Sequence, residues 1–521
     1  MRSHLLSQST STPAGEPATR RGVVLGGSLA GLLAARVLAD HLAEVIVVDR
    51  DDLDGDLTAP RRGVPQSPHS HGLLVRGSQA IEAIVPGFTA AVLARGGLQA
   101  DVVARSRWLM SDNLLSRGPS GLVGLLASRT LVEAEVRRLV RSSGNVSLLG
   151  GHDIVGLRPD ASGTRVAGVL VSPRVASGAV GPHAGDVVRD LPATLVIDAT
   201  GRGSRAPRWL ADLGFPAPEE TTVDAQIRYV TRQFAARDGV LDDLDADIVG
   251  TRPGSGRAGV ALRQEDRRWT VTLAEQFGGE PPCDLAGFRA FAATLPTAGI
   301  VTIAERCEPL GPAVRFAYPA SRWRHWERLD RRLEGLVMIG DAVCSFNPIY
   351  GQGMSSAAHQ ALVLRQLLRS HGTHALATRS AAAFARVVAT PWALATGSDR
   401  RFPGQPAKPL PERLVDHYLD RLLEVATEDH VVTVAFSRVL NLLAAPPSLL
   451  SPRLAWRVLG PGSGGVVRRA RGARADRAAA TARPLPGAVP AGPRDGGLSV
   501  ALGHRIPALG AGAGVLDPAD G

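Results

Sequence analysis

The 521-residue chain has only three cysteines, Cys283, Cys307 and Cys344. They are far apart and lack the paired spacing of zinc ligands, so neither a disulfide scaffold nor a cysteine-built metal site is expected. Lysine is almost missing: Lys408 stands alone among 59 basic residues. The formal charge of +10 is therefore an arginine charge, and half of it falls in residues 1–20 and 461–521. What remains is too thinly spread to make nucleic acid the main partner. Aromatic residues reach just 4%, so any apolar pocket is expected to be lined mainly by Leu, Val and Ala. No apolar run reaches the roughly 18 residues that a membrane-spanning helix needs, and the first 20 residues hold no apolar signal segment. A cytoplasmic protein without stable membrane insertion is the expectation.

What is present is enough for a sizeable core, with 44% hydrophobic and 21% charged residues. Residues 1–20, rich in Ser, Thr, Ala and Pro, read as a flexible leader. GVVLGGSLAGLLAARVLADHLAEVIVVDR then gives a strand at Val23–Leu25, a glycine turn, a helix from Leu29 to Asp40 and a second strand from Glu44 to Val48. A polar loop, Asp51 to Ser70, leads to helices over 73–84 and 89–95, and a further helix is expected over 131–141. From about 206 to 318 the βαβ rhythm gives way to alternating stretches typical of antiparallel strands. LVMIG at 336–340 reads as another buried strand, followed by a helix over 354–368. Residues 410–445 have helical periodicity and stop at Pro446 and Pro447. From 461 onward Gly, Pro, Ala and Arg dominate, and a disordered tail is expected.

Three motifs carry the chemistry. In the first, Gly26-Gly27-Ser28-Leu29-Ala30-Gly31, Gly26 permits the tight turn, Ser28 is small enough for a diphosphate to approach, and Gly31 lets the helix pack on the sheet. Asp49 closes the second strand where a carboxylate can take ribose hydroxyls, and Arg50 can reach the adenine or a phosphate. The second is Asp198-Ala199-Thr200-Gly201-Arg202-Gly203-Ser204. The third, Gly340-Asp341-Ala342, runs through Asn347-Pro348 to Gly351, Gly353 and Met354. There Asp341 stands at a strand end, and the glycines present backbone amides at a helix start.

With these motifs in this order, residues 21–395 resemble the flavoprotein monooxygenases of the aromatic hydroxylase type. RRGVPQSPHSHGLL, VIDATGRGSR and GDAVCSFNPIYGQGMSSAA look most like the bacterial flavin epoxidases of polyether antibiotic biosynthesis. The resemblance implies an α/β fold: a Rossmann-like FAD-binding domain in two parts, 21–205 and 319–395, an inserted β-sheet substrate domain at 206–318, and a C-terminal helical region at 396–460 before a tail at 461–521. It implies FAD held by Asp49, Arg129, Asp341, Gly351, Gly353 and Met354, with Arg129 near the diphosphate. It also implies O₂ as co-substrate, NADPH or NADH as electron donor, and a hydrophobic or polyketide substrate. Thr200 stands where the family generally carries Asp, which leaves electron supply either direct or through a flavin reductase. The expected reaction transfers one oxygen atom from a flavin hydroperoxide to alkenes of a linear polyene. Hydroxylation of an aromatic polyketide and reduction of isoprenoid double bonds are the alternatives.

Candidate residues at the reacting centre are Asn347 and Pro348 beside the flavin ring, and Arg61 and Gln66 on the long loop, each weighed against an ordinary role in turn or loop geometry. His69 and His71 on that loop lack a third ligand, so no metal is expected. Arg228, Tyr229, Phe234, Trp269 and Phe316 are candidates for the substrate pocket, any one of them equally able to serve as core. The helices of 410–445 either cap that pocket, mediate dimerisation, touch a membrane or simply pack on the body, and the protein is expected as a monomer or homodimer.

Overall fold

The computed structural model describes residues 20–55, 60–174 and 188–482. By its contacts the chain divides into a unit of residues 1–481 and a second of 482–521, of which only Ala482 is described. The expected leader, apart from Arg20, and residues 483–521 of the expected tail lie outside the described residues.

Five parallel strands make the first sheet, in the order Leu336–Met338, Leu195–Asp198, Arg21–Leu25, Glu44–Val48 and Val146–Leu149. Their Val/Leu/Ile content follows from burial on both faces. The helices Leu29–Ala39, Arg129–Arg141 and Gly353–His371 pack around this sheet and share its core. Antiparallel strands His152–Pro159, Val166–Pro173 and Arg189–Pro192 form a small sheet beside it.

The second layer is an eight-stranded sheet centred on the long strand Glu220–Ala235, which pairs with Val314–Arg324 on one side and Arg268–Gln276 on the other. Its boundaries differ from the expected 206–318. Ala206–Asp212 is a helix whose Trp209 and Leu210 join the core of the first layer. Strands Ser106–Met110 and Asn113–Leu114, far earlier in the chain, complete the second sheet. Short strands that pair across more than 100 residues leave no local signal of which sheet they join. Helices Leu285–Ala293 and Gly299–Arg306 cover one face of this sheet, where the sequence reads as strands alone; Phe288, Ile300 and Ile303 pack there on Val230, Phe234 and Trp269.

The C-terminal region is a helical layer. Leu376–Asp399 keeps Pro391 inside a continuous helix, and the 410–445 stretch splits into Leu410–Val425 and His430–Leu440 because Asp429 caps the second through the amides of Val431 and Val432. Disorder from residue 461 is not what the structure has: Ser463–Ala482 is a helix. Its Val467 is buried with the C-terminal core, and Arg469 and Arg471 pair with Glu428 and Glu424. Alanine and arginine are strong helix formers, and the composition that reads as low complexity also suits a surface helix. Among the described residues no single helix is long and apolar enough to cross a membrane.

Candidate functional site

The site begins at the turn between Leu25 and Leu29. Gly26 has φ +100, in the region glycine tolerates, and its amide donates to the Val48 carbonyl at 2.7 Å. A Cβ on Gly31 would lie 1.8 Å from the Gly26 carbonyl oxygen, so the fingerprint helix can approach the turn only because residue 31 has no side chain. Ser28 occupies the N-cap position yet makes no capping bond. Its hydroxyl instead donates to Glu133 Oε2 at 2.8 Å and accepts from Arg129 Nη2 at 3.0 Å. The first-turn amides of this helix are thereby left facing the cavity, next to a guanidinium whose Nε has no partner. A helix N-terminus with open amides and a partly buried arginine beside it can accept an anion such as a diphosphate.

Arg61 lies underneath this turn. Its guanidinium bonds to Glu133 and to the Gly27 carbonyl, and it stands 3.5 Å from Asp49. It is absent from the cavity wall, so its expected contact with a flavin edge gives way to a structural one: a buried carboxylate needs cations, and Arg61 is one of them. Burial raises the Glu133 carboxyl, but Arg61, Arg129 and Arg137 outweigh it and hold the group below its ordinary value. Asp49 does line the cavity, while its carboxylate also accepts from the amides of Gly27 and Asp51 at 2.6 and 2.8 Å.

The remaining motif residues converge on the same space. Gly26, Ser28, Asp49, Arg50, Arg129, Asp341, Gly351, Gly353 and Met354 all line one cavity of about 1760 Å³, joined by Gln66 and Pro348. Gly31 stays behind the turn, as its packing role requires. Asp341 is open to the cavity but enclosed by protein; that burial raises its carboxyl, opposed by Arg129 and Arg202. Gly351 has φ +65 and sits against Gly72, which brings the third motif onto the long loop. In the second motif Asp198 is wholly buried and accepts from Thr200 and Ser204 hydroxyls at 2.6 and 2.5 Å, while Thr200 itself reaches the cavity.

Asn347 is not on the wall. It is fully buried, and its Nδ2 donates to Asp399 Oδ1 at 3.0 Å. Two more donors reach the same oxygen, Gln276 Nε2 at 2.7 Å and the Tyr350 hydroxyl at 2.8 Å, while Asp399 Oδ2 has no partner. Burial raises the Asp399 carboxyl against the pull of these donors. Asn347 therefore fixes the turn that presents Pro348 and Tyr350. Asp399, at the end of its helix, carries no motif that would have singled it out.

Strand pairing sorts the expected substrate residues. Phe316, Tyr229, Ala274 and Ala258 are successive partners across four strands, so their side chains share one face, and all four line the cavity. Phe234 and Trp269 are partners of each other on the opposite face, both with 0% exposure, packed on Phe288. Arg228 shares that opposite face beyond its helices, is exposed, and donates to the Gly278 carbonyl. These three are corrected from pocket to core or surface, because period-two alternation turns residues 228 and 234 away from 229. The long loop is stitched to the cavity-side face: Ser70 bonds to Thr270 and Thr272, and His69 Nδ1 meets the Thr231 hydroxyl at 2.7 Å. Burial lowers His69 to about 4 and, together with Arg129, lowers His71 to about 3, so both imidazoles are neutral at pH 7.

The far wall comes from the C-terminal helices through Leu394, Leu419, Leu423, Phe436, Val439 and Leu449. These helices close the cavity, one of the roles the sequence left open. Their apolar periodicity signals a buried face but not what it faces.

No protein-family model matches the chain. The fold is similar to that of p-nitrophenol 4-monooxygenase PnpA from Pseudomonas putida DLL-E4, which superposes with a TM-score of 0.57, at 15% identity, over 81% of this chain and 99% of that one. A flavoprotein/dehydrogenase from Cytophaga hutchinsonii gives 0.54, at 14% identity, over 88% and 99%. In sequence the chain is 33% identical over 433 residues to Protein Rv3254 of Mycobacterium tuberculosis, covering 81% of this chain and 89% of that protein. With a third of the aligned residues identical along most of both chains, this chain belongs to the family of Protein Rv3254.

Proposed function

We propose that the protein is an FAD-dependent monooxygenase that epoxidises alkenes of a linear, largely aliphatic polyene, of the kind found in polyether-type polyketides. The observation that carries this reading is one cavity running from the open helix N-terminus, past the third-motif turn, to a largely apolar chamber. Its volume of about 1760 Å³ exceeds the roughly 300–1,000 Å³ of an ordinary ligand pocket, which suits a dinucleotide and a second, long molecule together.

In this reading Ser28, Arg129 and the amides of the fingerprint helix hold the diphosphate, Asp49 the ribose, and Asp341 with Gly351, Gly353 and Met354 the flavin half. When bound, the flavin supplies the chemistry of oxygen activation. One atom of O₂ enters the alkene, the other leaves as water, and NADPH or NADH provides the two electrons, directly or through a reductase. The protein's part is to orient and to exclude water. The walls are largely apolar, mixing Leu, Val and Ala with aromatic side chains such as Trp108, Phe316, Phe402 and Phe436, and the C-terminal helices shield the chamber. Hydroxylation of an aromatic polyketide is favoured by one observation, the Tyr229–Phe316 pair at 5.3 Å between ring centroids in the wall.

The test uses purified protein loaded with FAD, photoreduced without air, then given isotopically labelled O₂ with a linear polyene or with an aromatic polyketide. Mass spectrometry is expected to find one labelled oxygen per reacted alkene. Product from the aromatic compound alone would replace epoxidation by hydroxylation, and absence of oxygenated product from both would end the monooxygenase reading.

A further inference from the structure

Beside the large cavity is a smaller one of about 290 Å³, and the two share Ser111, Pro253 and Arg401 in their walls. Where the large chamber is mostly apolar, this vestibule is basic: Arg252, Arg401, Arg421, Arg471, Arg474 and His417 surround it. The carboxylates that face them are fewer. Asp112 is shared between Arg252 at 2.6 Å and Arg474 at 3.4 Å. Asp420 takes Arg401 at 2.7 Å, with Asp416 at 4.0 Å from the same guanidinium but bound more closely to Lys408 at 2.7 Å. Glu424 takes Arg471 at 2.7 Å. Among the described residues Arg421 has only neutral acceptors, the Val458 carbonyl at 2.9 Å and the Ser463 hydroxyl at 2.7 Å. Among the described residues five guanidiniums thus face the three carboxylates Asp112, Asp420 and Glu424, and the surplus lies against the apolar chamber, behind the wall residues that the two cavities share.

The vestibule is assembled from distant parts of the chain. Arg252 lies just beyond the strand Ala246–Val249, Arg401 and Arg421 come from the C-terminal layer, and Arg471 and Arg474 from the last described helix. A surplus of guanidinium donors beside low-dielectric walls recognises an anionic, planar or tetrahedral group through charge-assisted hydrogen bonds. An alkyl chain in the chamber would bring its own end to this place.

We infer that the vestibule is a subsite for an anionic terminus, so that the substrate is an unsaturated chain ending in a carboxylate or a phosphate. The inference rests on the reading of the chamber as the substrate site, and it narrows the substrate class from any apolar polyene to an amphiphile with one charged end. A free acid supplies the carboxylate, and a chain held as a phosphopantetheine thioester supplies the phosphate. The shared chemistry is an oxyanion that accepts from arginine.

Equilibrium binding to the full-length protein tests this without turnover. The probes are arachidonate, its methyl ester and its phosphopantetheine thioester, measured with wild type, Arg421→Gln and Arg252→Gln. Arg267→Gln, which alters an exposed arginine paired with Asp238, is the control. Wild type and control are expected to bind an anionic probe at least about tenfold more tightly than the ester, as one charge-assisted contact allows. The preference should shrink severalfold in Arg421→Gln and Arg252→Gln and fall with added salt while ester binding does not. Should Arg421→Gln fail to fold, Arg252→Gln alone gives the reading. Arachidonate or thioester preference identifies the carboxylate or the phosphate as the group recognised. Equal binding of all three probes to wild type, or an undiminished preference in the vestibule variants, overturns the inference. Oxygenation of neutral polyenes alongside equal binding would remove the subsite and leave the monooxygenase standing. Tight anion-dependent binding with no oxygen transfer would do the reverse.

Discussion

His69 offers a quantitative test of how the long loop is locked to the eight-stranded sheet. Its ring lies edge-on to Tyr229 and Phe316, with centroids 4.7 and 5.5 Å away, its Nδ1 meets Thr231, and its Nε2 has no partner. Burial lowers the imidazole from the ordinary 6.5 to about 4. Between those values the unfolded chain binds a proton that the folded chain refuses, so stability falls as pH falls. At about pH 5 the unfolded ring is protonated about 30 to 1 and the folded ring about 1 to 10; the lost stability is close to RT ln 30, about 2 kcal/mol. In His69→Asn the amide keeps a polar group near Thr231 but cannot titrate. Urea unfolding at a series of pH values from neutral down to about 4.5 should show wild type losing about 2 kcal/mol more than the variant, because every other titrating group cancels in the comparison. Parallel pH profiles for the two proteins would refute the reasoning, since they would mean that His69 is solvated or charged in the fold.

Four further outcomes follow from the geometry. Gly31→Ala places a methyl against a backbone oxygen that no rotamer can move, and should cost about 1–3 kcal/mol of stability and abolish tight FAD binding, measured by thermal unfolding and flavin retention. Arg129→Met removes the guanidinium beside Ser28 and should raise the FAD dissociation constant about tenfold or more in fluorescence titration. Trp269→Ala should lower stability by about 3–5 kcal/mol, while Phe316→Ala should act mainly on substrate affinity and product distribution; the reverse assignment would show that the two faces of the sheet have been exchanged. Asp399→Ala leaves the buried Gln276, Asn347 and Tyr350 donors without their acceptor, at about 1–3 kcal/mol each at most; Asp399→Asn keeps an acceptor oxygen and should hold the Asn347–Gly351 turn better protected in hydrogen exchange than the alanine variant does.

The first layer was legible because its signals are local. The strand, glycine turn, helix and second strand from Arg21 to Val48 follow one another without interruption, and the helices over 131–141 and 354–368 are found within a few residues of where periodicity puts them. The second layer was legible only as alternation. Alternation says that Tyr229 and Phe234 lie on opposite faces, but not which face meets the cavity and which meets the helices of 285–306. Arg61 shows the same limit: a loop arginine near a phosphate turn reads as a ligand contact until the buried Glu133, 72 residues away, is seen to claim it.

By itself, then, the sequence determined the glycine turn and the order of the three motifs, since glycine at a forced φ, a small residue at an N-cap and an acid at a strand end act through bonded neighbours. Only the tertiary structure decided what the scarce aromatics do, what closes the chamber, and where the arginine surplus gathers. Those outcomes depend on which faces of distant elements meet, and a side chain's burial and partners belong to that meeting rather than to its own stretch of chain.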